Sequence, residues 1–564
     1  MKGLATMDLF DCRASMGLPA RPSLAPCRSP EDLLAAMDRH GIARALVLHE
    51  AQRHESPLEA NEIACAACAD HPRLEPVWAI LPHQTGEFPA PEAVAVRMRA
   101  RGVRSLWALP SAHRYCLDTE TFGDLFEVMA ELGIPLFVPL EEVSGGAEGW
   151  SRIAHVLRDV PDLTLVGVGH GCWGDDRLFR PLLERYPGLH VDISRYELDA
   201  GIERLVAKYG AGRLLFGSGY PYSTMGGALT MLAHVPISDS ARADIASGNL
   251  ERLLGWGASE ATELVRERIV LTDAARRVSP LVAAWMEGPP DDCPVVDAHG
   301  HFGPLSRIWF PTDGTSGMLR TMDRCGVSVV ISSHHVALTG DPFRGNAALT
   351  RDALEREPSR FLGYYTWNPH YAAEQERELA TFPPHEGFVG FKVHPSEHGV
   401  PLTDPRYSPL FDYANAHRLP VLSHTWGGSS VDSPELVSEV ASRHPDMPFL
   451  MGHSGFGAWD ASVRVAHECP NVYLELCAAY SVRGVIEKFV REIGSERVLY
   501  GTDLPWFDPA YVIGTVVWAE ITDDDRRNIL YRNAARLFPA VAARLGEHGA
   551  GVSPEAGTLP SGSG

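Results

Sequence analysis

The sequence has no apolar run near the roughly 18 residues that a membrane-spanning helix needs. Its start, Met1-Lys2-Gly3-Leu4-Ala5-Thr6-Met7-Asp8, has no apolar core of the kind a secretion signal carries. Cysteine is sparse: 10 in 564 residues, without the spacings of a disulfide framework. We therefore expect reduced thiols and a cytoplasmic protein. Cys65-Ala66-Ala67-Cys68 is a single pair in an alanine-rich helical stretch, and without a second pair it reads as helix packing, not a zinc site. Positive charge is also short, with 50 Lys and Arg against 72 Asp and Glu and a net charge of −22. That balance argues against nucleic-acid or anionic-membrane partners, yet a local arginine can still hold an acidic small molecule.

What is present is an ordinary globular composition, 45% hydrophobic and 22% charged, in a chain too long for one core. The chain also repeats itself. Leu9-Phe10-Asp11 returns as Val295-Val296-Asp297, and Met37-Asp38-Arg39-His40-Gly41 as Met322-Asp323-Arg324-Cys325-Gly326. Leu214-Leu215-Phe216-Gly217-Ser218-Gly219-Tyr220-Pro221 returns as Val498-Leu499-Tyr500-Gly501-Thr502-Asp503-Leu504-Pro505, and Gly248–Leu253 as Arg532–Leu537. The offset stays near about 285 residues, the size of a whole barrel domain.

In the second copy, apolar strands alternate with amphipathic helical runs. Eight strands are expected, at Pro294–His299, Ser328–Ser333, Gly363–Trp367, Val389–His394, Pro420–His424, Met447–His453, Val472–Leu476 and Val498–Thr502. That count predicts a (β/α)8 barrel, and no Gly-rich phosphate loop follows the first strand to favour an open doubly wound sheet. The fold class is thus α/β, two tandem (β/α)8 barrels. Residues 1–255 form the first and 293–545 the second, with a helical, Pro-rich linker at 256–292 and a disordered Gly/Ser/Pro tail at 546–564.

Barrel chemistry sits at the C-terminal ends of the strands. In Asp297-Ala298-His299-Gly300-His301 the two histidines project from one side of a strand, about 7 Å apart, a spacing that lets both bind one metal ion. Later strand ends supply Lys392, His424, His453 and Asp503. Five such ends on one barrel face are hard to assign to packing.

With these motifs the second copy resembles the amidohydrolase superfamily, in the amidohydrolase-2 branch that includes aminocarboxymuconate-semialdehyde decarboxylase. The resemblance implies a divalent metal, usually zinc, held by His299, His301, His424 and Asp503, with His453 beside it as a catalytic group. One metal per chain is expected, or two if Lys392 is carboxylated and bridges them, in which case His424 and His453 hold the second. Otherwise Lys392 anchors a substrate carboxylate or pairs with an acid. A metal in such a site lowers the pKa of a bound water towards ~7. Asp503 would take that proton and pass it on, and His453 would orient the water or polarise a carbonyl.

Trp309, Trp367, Trp426, Trp459 and Trp506 follow or end these strands and are expected to line a pocket for a planar or apolar substrate. Arg307, Arg344 and Arg406 lie in the neighbouring loops, with Arg307 the candidate for a substrate carboxylate. His334, His335, His370, His394 and His398 have no role assigned by sequence. In the first copy Arg13 and Ser15 stand for His299 and His301, Trp107 for Lys392, Pro139 for His424 and Gly219 for Asp503. Only His170 matches, at the position of His453, so the first copy is expected to hold no metal.

The expected activity is metal-dependent hydrolysis of an amide, ester or lactone bond in a small substrate. The alternative is metal-dependent, non-oxidative decarboxylation of a small aromatic or unsaturated acid. A third reading, from another class, is a non-catalytic scaffold. The expected partners are a small-molecule substrate and, within the chain, the other barrel as a pseudo-dimer, with homo-oligomers left open and no nucleic acid or membrane.

Overall fold

The computed structural model describes residues 7–21, 23–171, 174–255 and 270–547. The chain divides into two compact units, Met1–Glu287 and Gly288–Gly564. Among the described residues no helix is long and apolar enough to cross a membrane.

The first unit carries strands β1 (Phe10–Met16), β2 (Arg44–His49), β3 (Leu74–Pro76), β4 (Trp78–Ala79), β5 (Leu106–Trp107), β6 (Leu136–Pro139), β7 (Leu165–Val168), β8 (Leu189–Asp192) and β9 (Leu214–Leu215). They pair in parallel as a three-stranded sheet, β1 to β3, and a six-stranded sheet, β4 to β9. The break between β3 and β4 falls inside one strand position. Val77 N donates to Val47 O on one side, and Trp78 N to Ser105 O on the other. The last strand position returns to the first through Cys12 N to Phe216 O (2.9 Å) and Ser15 N to Tyr220 O (2.8 Å).

The second unit is the more regular barrel. Its strands are β10 (Val295–Phe302), β11 (Val327–His334), β12 (Phe361–Thr366), β13 (Phe388–Val393), β14 (Val421–Trp426), β15 (Phe449–Phe456), β16 (Val472–Glu475) and β17 (Val498–Leu499), parallel and in sequence order. Ala298 N donates to Tyr500 O (3.0 Å) and His301 N to Leu504 O (2.7 Å), which joins the last strand to the first. Both units are therefore (β/α)8 barrels, and the region after each last strand lies beside the first strand's end.

Local chemistry sets the helix ends. Ser29 caps Pro30–His40 by accepting from Asp32 N, and Gly41 closes that helix at φ 70. Gly326, at φ 68, closes Thr315–Cys325 in the same way, so the repeated Met-Asp-Arg-x-Gly is a helix C-terminus and its stop.

The expected linker helices belong to the first unit. Leu271–Val278 and Pro280–Glu287 pack there: Leu271 lies against Gly41, and Trp285 O is 2.8 Å from His234 Nε2. The compact body therefore extends past residue 255, to Glu287. Of the expected linker, residues 256–269 lie outside the described residues, as do residues 548–564 of the expected tail.

Candidate active site

His299 and His301 lie in the second half of β10, both buried. Their Nε2 atoms converge on one oxygen, Asp503 Oδ1, at 2.9 Å and 3.1 Å. Lys392, near the end of β13 and 1% exposed, places Nζ 2.6 Å from His299 Nε2. His453 comes in from β15, its Nε2 3.9 Å from Asp503 Oδ2. Ligand atoms of His299, His301 and Asp503 lie within 4.8 Å of one another, and a second such group, His453, Cys477 and Asp503, shares the carboxylate.

Orientation of these rings comes from Glu475 and Ser333, which the sequence did not single out, and from His335, to which it assigned no role. Glu475, fully buried at the end of β16, accepts from His299 Nδ1 (2.7 Å), from His453 N (3.1 Å) and from Cys477 N (2.6 Å). It accepts from Nδ1 and so turns the other ring nitrogen, Nε2, towards Asp503. His301 Nδ1 rests 3.0 Å from Ser333 Oγ. His335 backs the His301 ring at 5.1 Å; its Nδ1 faces Gly303 O and its Nε2 accepts from Trp506 Nε1 at 2.9 Å. That pattern makes His335 a neutral supporting histidine. The internal repeat held a signal for Glu475, because Asp192 occupies the matching strand end in the first copy.

The backbone is bent to present these groups. Asp503, His453 and Ser454 have φ of 59, 63 and 51, left-handed values that cost a non-glycine residue about 1 kcal/mol or more. Asp503 N donates to His299 O at 2.7 Å, which ties the turn to β10. Gly501 leaves the space that Glu475 and His299 need: a Cβ there would meet Glu475 Oε1 and come within 2.7 Å of His299 Cβ.

The donor set suits a divalent cation. It holds two imidazoles, a carboxylate and the orphaned, buried Nδ1 of His453, which has no hydrogen-bond partner. Burial pushes Asp503 towards its neutral form, but the charges of His299 and His453 and hydrogen bonds from both β10 histidines outweigh that and hold it well below the carboxylate range. Burial pulls His301 down to about 4 and Lys392 to about 8, the latter against the opposing pull of Asp503 and Glu475. Burial lowers His299 too, but the charges of Asp503 and Glu475 outweigh it and raise the group to about 9, so a bound cation would have to displace that proton before His299 could ligate.

His424, expected as the fourth ligand, is in neither group. Its Nδ1 is held by buried Asp432 at 2.7 Å, its ring stacks on His394 at 4.2 Å, and it stands beside His453 at 4.8 Å between ring centres. Trp426 lies parallel to His424 (5.9 Å, 6°) and stacks on Phe456, so it walls the His453 side. Trp506 walls the other side, with Phe310 and His335. Trp309 is half-buried in the loop after β10.

Two expected pocket residues are corrected by the structure. Trp367 is fully buried and its indole donates to Arg406 O, so it packs a loop onto the barrel. Arg307 points outwards, 61% exposed, and pairs with Glu397 at 2.9 Å. Arg344 and Arg406 are likewise surface residues paired with Asp341 and Asp404. Trp459 packs against Phe456 and Phe489. His334 accepts from Val336 N, and His370 and His398 bond the backbone carbonyls of His398 and Leu338.

The first barrel keeps the frame of this site and changes its contents. Asp11 accepts from Ser218 N (2.9 Å) and from Ser218 Oγ, as Asp297 accepts from Thr502 N and Oγ1. Gly219 holds φ 72 at the position of Asp503 and donates to Arg13 O as Asp503 does to His299 O. Trp107 stacks on Phe137 at 5.4 Å and 3° within the barrel core, where the second barrel has Lys392. His170 lies in an aromatic cage of Trp150, Phe179 and Tyr196, and burial holds it below the ordinary histidine range. Among the described residues, both groups able to hold a metal are in the second unit.

The amidohydrolase family model matches the chain twice, over residues 12–256 and 296–540. The chain belongs to the amidohydrolase family. Two curated proteins it resembles are γ-resorcylate decarboxylases. That of Rhodococcus jostii is 25% identical over 255 residues, covering 35% of this chain and 75% of the relative. That of Polaromonas sp. is 23% identical over 284 residues, covering 39% of this chain and 86% of the relative. Among solved structures, a 5-carboxyvanillate decarboxylase from Novosphingobium aromaticivorans complexed with manganese is 14% identical, with a TM-score of 0.37 over 45% of this chain and 97% of that one. This amidohydrolase family member is an enzyme, and its family uses a divalent metal.

Proposed function

We propose that the second barrel is a metal-dependent, non-oxidative decarboxylase of a small aromatic acid. The observation that carries this reading is the identity of the curated relatives: both are γ-resorcylate decarboxylases. Hydrolysis, the first expectation from the sequence, has no counterpart in those two relatives.

His299 Nε2, His301 Nε2 and Asp503 Oδ1 would hold the cation, with His453 beside them. When bound, it supplies positive charge to anchor and polarise an anionic aromatic acid. The reaction breaks the bond between ring carbon and carboxylate, releases carbon dioxide and places one proton on that carbon. Asp503 is suited to carry the proton, because its Oδ2 faces His453 Nε2. Glu475 keeps the His299 ring fixed throughout, and Trp426 offers a flat wall for the substrate ring. Zinc and manganese both suit such donors.

The test is incubation of the metal-loaded full chain with 2,6-dihydroxybenzoate and related ortho-hydroxylated benzoates, with carbon dioxide and the decarboxylated ring measured. Asp503→Asn should cut release by about 100-fold or more. Cleavage of a lactone or amide panel without carbon dioxide release would restore hydrolysis. A purified chain that takes up no divalent metal would favour the scaffold reading.

A further inference from the structure

The first barrel has a cavity of about 280 Å³ at the same strand ends. Arg13 and Ser15 line it from β1, Leu48 from β2, Trp107 from β5, and Gly219 and Tyr220 from the segment after β9. Arg13, Trp107 and Gly219 stand where His299, Lys392 and Asp503 stand in the second barrel, so a metal-ligand position is filled by a permanent cation. With glycine at the acid's position, the cavity is equipped to bind and not to transfer protons.

Its walls carry three guanidinium groups, Arg13, Arg53 and Arg195, against one carboxylate, Glu141. Two of the arginines are paired with acids, of which Glu50 and Glu197 are buried. Arg53 bonds Glu142 at 3.1 Å and sits 3.8 Å from Glu50, and Arg195 bonds Glu197 at 2.5 Å. Glu50, Glu142 and Glu197 are not part of the cavity wall. They hold these two guanidinium groups in place at the cavity wall, and preorganisation of that kind favours anion binding.

Arg13 is held differently. Its Nη1 donates to Ser194 Oγ and its Nη2 to Glu141 Oε1, both at 3.0 Å. Glu141 sits on the short turn Leu140–Val143 with its side chain 47% exposed. A pair that open to water holds weakly, so an incoming carboxylate can displace it. Trp107, Tyr220 and Tyr222 supply flat apolar surface beside that position. A volume just under the ~300 Å³ where drug-sized pockets begin fits one ring and its carboxylate.

We propose that the first barrel binds a single-ring aromatic carboxylate in this cavity, the ligand's carboxylate taking the place of Glu141 on Arg13. The proposal does not depend on the reaction of the second barrel. It is tested on the full chain with 2-hydroxybenzoate as probe, by equilibrium dialysis together with hydrogen exchange read by mass spectrometry. Added probe should slow exchange in residues 10–16, 140–143 and 219–223. Protection confined to residues beyond 288 would overturn the proposal. Glu141→Gln, at a half-exposed position, should tighten the first-barrel component by up to about fivefold. Arg13→Met should remove that component and its protection. Weaker binding in Glu141→Gln, or equal protection by the uncharged analogue 2-hydroxybenzamide, would refute recognition of a carboxylate by Arg13.

Discussion

Replacing Glu475 by glutamine tests whether the second barrel's site is organised from below. The carboxylate is wholly buried and serves three donors: Oε2 takes His299 Nδ1 and His453 N, and Oε1 takes Cys477 N. Glutamine has the same shape but one acceptor oxygen. If that oxygen faces His299, the new amide faces Cys477 N–H; turned round, it faces His299 and His453. Each buried donor left unpaired costs about 1–3 kcal/mol. Loss of the charge also weakens the hold on the His299 tautomer, and outer partners of metal-binding histidines are worth about 10- to 100-fold in metal affinity. Glu475→Gln should therefore unfold at lower temperature and bind its divalent metal about 10- to 100-fold more weakly in chelator competition. Asp192→Asn, the matching change in the first barrel, should leave metal affinity unaltered. Wild-type metal affinity in a folded Glu475→Gln chain would refute the reasoning.

Three further outcomes are expected. Gly501→Ala should destabilise the chain by about 1–3 kcal/mol and impair metal uptake, since its Cβ meets Glu475 and His299; thermal unfolding and metal content check it. Burial keeps His170 neutral, so the stability it allows is complete above the ordinary histidine pKa of about 6.5 and falls as the unfolded chain alone takes up the proton at lower pH. His170→Phe should accordingly lose less in melting temperature between pH 7 and pH 5 than the wild type, with metal binding unchanged. Arg307→Ala should shift stability by no more than about 0.5 kcal/mol and leave the KM for any aromatic acid near its wild-type value, because that arginine pairs outside the pocket.

The architecture was legible because duplication writes the same pattern twice. All eight strands of the second barrel coincide with apolar runs, and the metal-ready residues stand at their ends. The first barrel is less regular: β4, β5 and β9 each span two residues, and one strand position is split into β3, ending at Pro76, and β4. Side-chain direction in loops was not legible at all. Trp367 and Arg307 each follow or end a strand, yet one turns into the core and the other into solvent. Glu475 was overlooked because an acid at a strand end looks ordinary until its partner, 176 residues earlier in the chain, is known. At His424 the strand end was legible, but not that buried Asp432 would hold Nδ1 and leave Nε2 as the ring's remaining nitrogen.

The turn shared by Asp503 and Gly219 has an energetic consequence. Both barrels keep the left-handed backbone there, but only glycine rests in it without strain. At that turn the aspartate carries a conformational cost that glycine does not, and Lys392 is a buried cation where the first barrel has the apolar ring of Trp107. The metal-ready barrel is thus the less relaxed of the two, and a bound cation would offset part of what its backbone and buried charge cost.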